Sequence, residues 1–507
     1  MGCTTSILAM TTCIISLNTN KFMIINFIAT HLFILINIIS FSFILYILLN
    51  YKYRYSAHLW IFVLIIFPLG GIIIFLFFGR NWKTLRGDYA LKVSKYYKKY
   101  FSYLDDKKIY QKKSLDSISI NVVDNILYKK IIGFINKNQF SSFTNDNDIQ
   151  IFFKGKENFE NLKSDLRSAT KQILMQYYIW RNDKLTSEIH EILIAKAKEG
   201  VEIKIIYDFV GSVFVNKSFV RKLRKNNIDV ISNFKWEYIF KLYNLNHRDH
   251  RKIVVIDGEI SYSGGMNMGQ EYIDGDTQFN SWRDVNIKAM GSSVNFLKLL
   301  FATNWFFITN ERLDYKFDLT KNNLEINKPI IQITSGPQLP WQSIKQIFCT
   351  VISNSSKYLY IQSPYFIPDA TVIDLLTTTA LTDVDVRLMI TGKPDKYIPY
   401  FAAYSFMEPL LYAGVKIYFY EKGFLHAKMM VCESLTILGS ANFDIRSFKL
   451  NYELSTIILD VDQAETNKKI FLRDIDNCSE LTLDDYHDIH VWKKLRNSLC
   501  SLFYPIL

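Results

Sequence analysis

Two stretches of this chain share one unusual polar pattern: a histidine and a lysine two residues apart, followed after four residues by a carboxylate. The first stretch, HRKIVVID, starts at His250, and the second, HAKMMVCE, starts at His426. The copies lie 176 residues apart, which is roughly one domain length. A polar pattern repeated at this spacing predicts two similar lobes that can build one site at their interface.

Each copy of the pattern also predicts a β-hairpin. KIVVIDGEISYSGG places two apolar runs around the turn Asp257-Gly258, and KMMVCESLTILGS does the same around Glu433. The histidine and lysine stand two apart at the start of the first strand, so they project from one face. Glycine-led turns, GGMN and GSAN, end the second strands at Asn267 and Asn442. Hairpin geometry therefore predicts that each lobe brings one His, one Lys and one Asn together.

Strand-like and helix-like runs alternate around both patterns. The first lobe is expected to begin near Ile149, with a helix over 185–199 and a strand over 201–208. The second lobe repeats this order, with strands predicted at 358–366, 386–392 and 415–421 and a helix at 370–380. The alternation predicts two duplicated α/β lobes, each a mixed sheet flanked by helices.

Two apolar runs precede the lobes. Residues 27–49 are 23 positions without a formal charge, and residues 59–78 are another 20. At about 1.5 Å per residue, a helix of either length can cross a hydrocarbon core of roughly 30 Å. Pro68 is expected to kink the second run. We therefore predict an N-terminal two-helix transmembrane hairpin.

The charges beside these runs predict the side on which the lobes lie. Residues 80–113 carry eleven Lys/Arg against three Asp/Glu, whereas the loop between the runs has only Lys52 and Arg54. The positive-inside rule then predicts a multi-pass protein of the cytoplasmic (inner) membrane with cytoplasmic lobes. Tyr and Phe interleaved with Lys after the second run suit an interfacial arm on anionic headgroups, and a solvated linker helix fits equally well. The expected segments are a tail without assigned function (1–22), the transmembrane hairpin (23–80), the basic linker or arm (81–148), lobe one (149–325) and lobe two (326–507).

The cysteines and remaining histidines predict no metal site. The six cysteines are scattered without a CxxC pair, which favours free thiols in a reducing compartment. His487 and His490 in LDDYHDIH are interpreted as part of a solvated face. No cofactor is expected.

Phosphodiester transfer needs a nucleophile, hydrogen-bond donors or cations for the phosphate oxygens, and an acid for the leaving alcohol. Two lobes would supply these as His250, Lys252 and Asn267 together with His426, Lys428 and Asn442. A catalytic histidine also needs a carboxylate on its other ring nitrogen, and Asp284 and Glu453 are the candidates. The net charge of +12 suits an anionic partner.

At these residues the chain resembles the phospholipase D superfamily, and most closely the bacterial cardiolipin synthases. The resemblance covers nearly the whole chain, including the apolar runs and the matching blocks YYIWRND, YDFVGS, GGMNMGQEY, TSGP, SPYFIPD, GSANFDIRS and NYELS. The duplicated motifs are specific for the superfamily, and the flanking blocks narrow the resemblance to the synthases.

The resemblance implies a catalytic set of His250, Lys252, Asp257, His426, Lys428 and Glu433, with no cofactor. It implies that one histidine, which we assign as His250, attacks phosphatidylglycerol and forms a phosphatidyl-histidine. The other histidine protonates the departing glycerol and then deprotonates a second phosphatidylglycerol, which gives cardiolipin. Both lysines, with Asn267 and Asn442, would hold the phosphate oxygens. Asp284 is expected to orient His250, and Glu453 to orient His426.

One departure from the family pattern concerns the second motif. Glu433 stands where the family has aspartate, and the turn after it is one residue shorter than in the first copy. Because Asp257 and Glu433 sit at the hairpin turns, we expect them to support the hairpins more than the chemistry. Activity should therefore survive the change. His247 matches no functional position of the family and is interpreted as a neighbour of the site.

The sequence leaves three alternatives open. The same motifs would serve another phosphatidyltransferase or a phospholipase that uses water. A nuclease of the same superfamily also fits the basic charge, but two membrane spans place the site at a bilayer and disfavour nucleic acid as a partner. The third alternative is a non-catalytic lipid-binding protein, against which both intact His/Lys/Asn sets argue. The expected partners are phosphatidylglycerol and anionic membrane lipid.

Overall fold

The computed structural model describes residues 3–50, 54–78 and 126–504, apart from 139, 214, 216, 234–246, 314, 316–327, 338 and 340. Most of the predicted basic arm, 81–125, therefore lies outside the described residues. The chain divides into two compact units, one formed by the N-terminal helices and the other by the predicted lobes. Each unit is described by itself.

The described part of the N-terminal unit contains three helices: α1 (Cys3–Asn50), α2 (Arg54–Ile66) and α3 (Pro68–Phe78). Within α1, Ile25–Leu49 is the one described segment long and apolar enough to cross a membrane. The helix already starts at Cys3, so residues 3–22 of the predicted tail belong to it.

The second predicted span is divided at Pro68, because proline has no N–H to continue the backbone ladder. Leu64 of α2 and Phe75 of α3 are fully buried with Ile47 of α1, so both short helices pack on the long one. Ser40 Oγ donates a hydrogen bond to Leu64 O over 2.9 Å. Among the described residues, the predicted hairpin therefore corresponds to one helix of spanning length and two shorter helices packed on it.

In its described residues, the second unit is built on one continuous sheet of fifteen strands. The strands from the first half of the chain are β1 (Ser141–Phe152), β2 (Gln172–Tyr177), β3 (Glu202–Tyr207), β4 (Asp229–Ser232), β5 (Ile253–Ile256), β6 (Ile260–Gly264) and β8 (Asn286–Gly291). Their order across the sheet is β1-β8-β6-β5-β2-β3-β4. The predicted hairpin around Asp257 is the antiparallel pair β5-β6, with Ile256 opposite Ile260.

The strands from the second half are β9 (Lys328–Ser335), β10 (Tyr358–Gln362), β12 (Asp385–Thr391), β13 (Lys416–Tyr420), β15 (Met429–Cys432), β16 (Thr436–Gly439), β18 (Glu453–Ile458) and β19 (Cys478–Leu481). They run β9-β18-β16-β15-β10-β12-β13-β19, which repeats the first half and adds one edge strand. The antiparallel pair β1-β9 joins the halves, with Phe143 opposite Ile331. Two α/β lobes related by duplication are therefore present in one sheet.

Helices cover the two faces of this sheet. In the first half they are α4 (Ile126–Lys137), α5 (Gly155–Ser168), α6 (Lys184–Lys198), α7 (Lys217–Lys225), α8 (Glu271–Asp274) and α9 (Val294–Thr309). In the second half they are α10 (Ser343–Ile352), α11 (Ala370–Leu381), α12 (Tyr397–Ala403), α13 (Met407–Tyr412), α14 (Ile445–Lys449), α15 (Val461–Ile475), α16 (Leu483–His487) and α17 (Val491–Ser501). Short strands β7 (Trp282–Arg283) with β14 (Phe424–Leu425), and β11 (Phe366–Ile367) with β17 (Phe443–Asp444), form two small parallel pairs.

The last part of the predicted linker is structured. Helix α4 buries Leu127 and Ile131 in the core of the second lobe, and β1 begins at Ser141 instead of near Ile149. The first half of β1 was not predicted because its residues around Asn147 are polar and do not alternate. The register of β1 against β9 shifts there, between Thr144 and Asn147. The Asn147 side chain is hydrogen-bonded at this shift, because its Nδ2 donates to Lys328 O over 3.0 Å.

Candidate active site

Each histidine-lysine pair lies at the carboxyl end of the parallel strands of its own lobe. In lobe one, β5 pairs antiparallel with β2, and Ile253 lies opposite Gln176 near the carboxyl end of β2. In lobe two, Met429 at the start of β15 lies opposite Gln362 at the end of β10. His250 and Lys252 therefore precede one strand, and His426 and Lys428 the other, at the ends where the parallel strands of each lobe finish.

Backbone hydrogen bonds tie each histidine to the opposite lobe. His250 N donates to Tyr452 O over 2.9 Å, and Tyr452 N donates to Arg248 O over 2.8 Å. On the other side, His426 N donates to Arg283 O over 2.8 Å, next to the pairing of β7 with β14. The two connections have the same form, so each lobe supports the histidine of its partner.

The candidate orienting carboxylates are crossed between the lobes. His426 Nδ1 lies 2.6 Å from Asp284 Oδ2, in hydrogen-bonding geometry. His250 Nδ1 lies 3.3 Å from Glu453 Oε1, a close contact without hydrogen-bond alignment. The expected pairing of Asp284 with His250 and of Glu453 with His426 is therefore wrong. The two-fold relation about β1-β9 turns each carboxylate towards the other lobe, and a local sequence pattern does not encode that rotation.

Both carboxylates are held by further contacts. Asp284 Oδ1 accepts a hydrogen bond from Val285 N over 2.7 Å, and a Cβ at Gly265 would lie 2.2 Å from that oxygen. Glu453 Oε2 accepts from Ser440 Oγ over 2.5 Å, and Glu453 Oε1 from Asn451 Nδ2 over 3.2 Å. Glycine is therefore needed at 265 so that Asp284 can approach the site.

The lysines are buried beside the histidines. Lys252 Nζ donates to His250 O over 2.7 Å, and Lys428 Nζ donates to His426 O. Burial lowers the pKa of Lys428 to about 7, and burial also lowers the pKa of Lys252. Burial raises the pKa of the Glu453 carboxyl, which Lys252 partly offsets. An anion bound beside the histidines would meet two buried lysine side chains and would favour their charged form.

Burial favours the neutral form of both histidines. Burial lowers the pKa of His426 to about 4, and burial together with Lys252 and Lys428 lowers the pKa of His250 well below its ordinary value. Their side chains remain 15% (His250) and 12% (His426) exposed, so a substrate can reach both rings. A neutral imidazole is the nucleophilic form. An arriving phosphate anion favours the protonated form that an acid needs.

The asparagines are close to the site but already bonded. Asn267 Oδ1 accepts from Ile179 N over 3.1 Å, and its Nδ2 donates to Tyr272 OH over 2.8 Å. Asn442 Nδ2 donates to Asp444 Oδ2 over 3.0 Å. Each amide nitrogen carries two N–H bonds, so each retains one for a phosphate oxygen.

Two tyrosines adjoin the histidines and were not singled out from the sequence. The ring of Tyr178 lies 4.3 Å from that of His250, and Tyr272 OH lies 3.4 Å from His426 Nδ1. Burial raises the pKa of both phenols, which stay neutral. Tyr178 directly follows β2, at the strand end beside His250. That position was the signal in the sequence that could have identified Tyr178 as a site residue.

The motif carboxylates lie at the opposite ends of the two β-hairpins. Asp257 accepts hydrogen bonds from the backbone N–H groups of Thr170, Lys171 and Gln172 over 2.7–2.9 Å and from Thr170 Oγ1. Glu433 Oε1 accepts from the N and Oγ of Ser356, both over 2.8 Å. Asp257 therefore anchors the start of β2, and Glu433 anchors the start of β10. Neither carboxylate contacts the histidines.

Replacing Glu433 with aspartate is expected to change the turnover number less than about twofold, because the carboxylate is remote from the site. The shorter side chain must still reach Ser356, so we expect the free energy of unfolding to change by no more than about 1 kcal/mol. Steady-state kinetics and thermal melting measure both quantities. Asp257→Ala is the contrasting variant, since it strips partners from three backbone N–H groups and should lower the melting temperature clearly. A large gain in activity for Glu433→Asp would show that the glutamate impairs the second motif.

Within the described residues, no group of three or more His, Cys, Asp or Glu side chains is placed to hold a metal ion. His490 Nδ1 instead accepts a hydrogen bond from Trp492 N at the start of α17. His487 Nε2 lies 3.2 Å from Tyr412 OH.

Comparisons with known proteins agree with this geometry. Residues 162–284 and 348–475 match the protein family described as "Cardiolipin synthase, PLD-like domain". The chain is 36% identical over 457 residues to a cardiolipin synthase of Staphylococcus aureus (strain N315), which covers 89% of this chain and 91% of that protein. It is 33% identical over 509 residues to the major cardiolipin synthase ClsA of Bacillus subtilis (strain 168), covering 96% and 100%.

Among solved structures, a phosphatidylserine synthase of Haemophilus influenzae is similar with a TM-score of 0.53 at 13% identity. The match covers 70% of this chain and 92% of that one. At this identity the likeness concerns the fold, which agrees with two duplicated lobes around one sheet.

Proposed function

The chain belongs to the cardiolipin synthases of the phospholipase D superfamily, and from this we propose that it joins two phosphatidylglycerol molecules into cardiolipin and releases glycerol. One observation carries the proposal. A carboxylate from the opposite lobe lies beside each histidine, and each histidine is followed two residues later by a buried lysine. These histidines and lysines are the groups that a two-step phosphodiester exchange needs.

In the first step, His250 Nε2 attacks the phosphorus of the first phosphatidylglycerol. The bond from phosphorus to the glycerol headgroup oxygen breaks, and His426 Nε2 gives its proton to that oxygen. The products of this step are free glycerol and a phosphatidyl group bonded to His250. The histidines divide the work, so one hard displacement becomes two easier ones.

In the second step, His426 takes the proton from a headgroup hydroxyl of the second phosphatidylglycerol. That oxygen attacks phosphorus, the phosphorus–nitrogen bond breaks, and neutral His250 is restored. The assignment of His426 as acid and base rests on its 2.6 Å contact with Asp284, because a close carboxylate stabilises an imidazolium. Glu453 lies further from its histidine, and burial raises its pKa, which suits a group that holds a neutral ring.

Lys252 and Lys428, with the remaining N–H groups of Asn267 and Asn442, are proposed to hold the phosphate oxygens. Charge that builds on those oxygens in the transition state would be stabilised by donors fixed in advance in a buried site. Asp257 and Glu433 are proposed to support the β-hairpins, and Asp284 and Glu453 to orient the histidines.

The relatives act on lipids, and α1 has the length and apolarity of a membrane span, so we place this enzyme at a membrane. We propose that α1 and the divided second arm form an inner-membrane hairpin, with the lobes on the cytoplasmic side where the basic residues 80–113 lie. Its partners would be phosphatidylglycerol and anionic lipid, with no nucleic acid. The segments proposed from the sequence are retained, except that 126–148 belong to the folded lobes.

Incubating the purified full-length protein with phosphatidylglycerol labelled in both the acyl chain and the headgroup tests the function. We expect labelled cardiolipin and free glycerol in equal amounts. Phosphatidic acid as the sole lipid product would instead identify a hydrolase, the runner-up activity.

The pH dependence should reveal the buried lysine. Since the pKa of Lys428 lies near 7 in the free enzyme, its charge is lost as the pH rises through that value, and attraction for the lipid phosphate weakens. We expect kcat/KM to fall above about pH 7, towards tenfold per pH unit, while kcat at saturating lipid changes less because a bound anion raises the pKa. The groups that act on Lys428 are Asp284, Glu453 and Asp444, which raise its pKa, and Lys252, which lowers it.

Rates measured between pH 6 and 9 on vesicles of constant composition test this expectation. Lys428→Arg keeps a charged group over the whole range, so its kcat/KM should decline less steeply with pH even if its overall rate is lower. A profile that is flat for the native protein, or identical in shape for both proteins, would contradict the assignment.

A further inference from the structure

Helix α17, near the end of the chain, buries a polar side chain against the protein and exposes apolar side chains to solvent. Its polar Asn497 is buried against the protein at 6% exposure, while Trp492 is 70%, Leu495 47% and Leu499 53% exposed. Val491 shares this stripe, which continues beyond the helix at Leu502 and Phe503. Apolar side chains at this helical spacing on the solvent side indicate a surface that another apolar phase covers.

A second helix extends the apolar stripe. Helix α12 packs beside α17, where the Arg496 guanidinium lies 3.4 Å from the centre of the Phe401 ring. Further along, the rings of Phe406 and Tyr504 are 5.7 Å apart, so the two helices run in the same direction. At the start of α12, Tyr397 is 66% exposed and Ile398 45% exposed. Tyr397, Ile398, Val491, Trp492, Leu495 and Leu499 together form what we call the α12–α17 face.

This face begins at the catalytic edge, by which we mean the carboxyl ends of the parallel strands that adjoin His250 in lobe one and His426 in lobe two. Strand β12 ends at Thr391 at the same edge as β10 and the His426 motif, and α12 starts six residues later at Tyr397. The charge of Lys396, the residue before the helix, acts on His250. Because α12 and α17 are parallel, the first turn of α17 with Trp492 also lies towards this edge.

The equivalent loop of lobe one has the same character. Strand β3 ends at Tyr207, and the exposed apolar residues that follow it are Phe209, Val210 and Val213. The loop is fixed next to the site, since Asp249 N donates to Asp208 Oδ2 over 3.1 Å. Exposed apolar side chains therefore flank the catalytic edge on both lobes.

The charges around the face select the kind of partner. Lys396, Lys493 and Arg496 border the apolar residues and are exposed. Tryptophan and tyrosine next to basic side chains suit the boundary between headgroups and acyl chains of an anionic bilayer. A second copy of this chain, equally basic at the same face, would place like charges against one another.

We propose that the α12–α17 face docks on an anionic lipid bilayer and brings the catalytic edge to the level of the phosphatidylglycerol headgroups. The proposal rests on the proposed function, because it explains how two lipid substrates reach a site in the lobes. Docking by this face is separate from anchoring by α1, so an anchored protein with an altered face should still be bound to vesicles.

The test compares the native full-length protein with Trp492→Ser/Leu495→Ser/Leu499→Ser. Both proteins are reconstituted in vesicles of phosphatidylglycerol and phosphatidylcholine. The matched control is Ile126→Ser/Leu381→Ser/Val461→Ser, which removes three apolar side chains of similar exposure away from the face. Each protein is also assayed with dihexanoyl phosphatidylglycerol below its micelle concentration, a substrate that needs no bilayer.

We expect the face variant to form cardiolipin from vesicle lipid roughly tenfold more slowly or worse, since it loses three interfacial anchors. On the short-chain lipid its rate should stay within about twofold of the native protein, and the control should be unaffected in both assays. Equal loss with both substrates, or no loss with either, would overturn the proposal. If the native protein is a dimer and the face variant is a monomer, the face joins two copies of the chain, and the proposal also fails.

A direct measurement separates this proposal from the proposed function. Brominated phosphatidylglycerol quenches tryptophan within the acyl region, so Trp492→Phe should reduce the quenched fraction of the fluorescence. That reduction is expected even if no cardiolipin is formed. Unchanged quenching would show that Trp492 does not enter the bilayer.

Discussion

Replacing either His250 or His426 with alanine is expected to lower the rate of cardiolipin formation by about 10⁴-fold or more. One variant lacks the nucleophile and the other the proton donor and acceptor, and such groups contribute about 10²–10⁴-fold each even when they act alone. Groups that act as a unit lose nearly everything with the first removal, so the double variant should be hardly slower than either single one. Initial rates with labelled phosphatidylglycerol in vesicles measure these losses.

The two single variants should differ in what they accumulate. Labelled lipid followed by an alkaline quench, in which phosphohistidine survives, should leave label on His426→Ala and none on His250→Ala. His487→Ala removes an exposed histidine away from the site and should keep the native rate. His247→Gln tests the neighbouring histidine and is expected to lose no more than a few-fold. Near-native turnover by either alanine variant would refute the two-histidine mechanism.

The composition of the site could be predicted from the sequence because it depends on local geometry. A residue spacing of two puts His250 and Lys252 on one face of a strand, and a tight hairpin returns Asn267 to the same end. The His, Lys and Asn of each lobe lie within about twenty residues of one another along the chain. The mixed α/β lobes followed for the same reason, from strand and helix patterns read one segment at a time.

The features that the sequence did not reveal depend on distant pairings. Strand β1 was missed in its first half because a bulge and polar side chains interrupt the alternation, although β8 and β9 hold it on both sides. The second apolar run was expected as one span, but Pro68 divides it into α2 and α3. The partners of the histidines depend on the rotation of one lobe against the other, which no motif spells out.

The crossed contacts give the second large expected effect. Asp284→Asn should lower turnover by about 10²–10⁴-fold and should resemble His426→Ala, although Asp284 and His250 belong to the same lobe. The reason is the proton on His426 Nδ1. Asp284 accepts from Val285 N with one oxygen, so an asparagine keeps that bond with its carbonyl and turns its NH₂ towards the imidazole. The ring must then present its other tautomer, and a protonated ring loses its counter-charge.

Glu453→Gln is the reciprocal variant and should resemble His250→Ala, with a smaller loss because the contact of Glu453 with His250 is longer. The comparison uses the amount of phosphatidyl-enzyme and the release of glycerol in a single turnover, measured for all four variants. Asp385→Asn, at the start of β12 and paired with Arg387, serves as the carboxylate control and should be nearly native. Whichever histidine carries the phosphatidyl group, crossed contacts require Asp284→Asn to behave like His426→Ala and Glu453→Gln like His250→Ala. If each carboxylate variant instead behaves like the histidine of its own lobe, the catalytic contacts lie within the lobes, and the crossed arrangement does not operate during turnover.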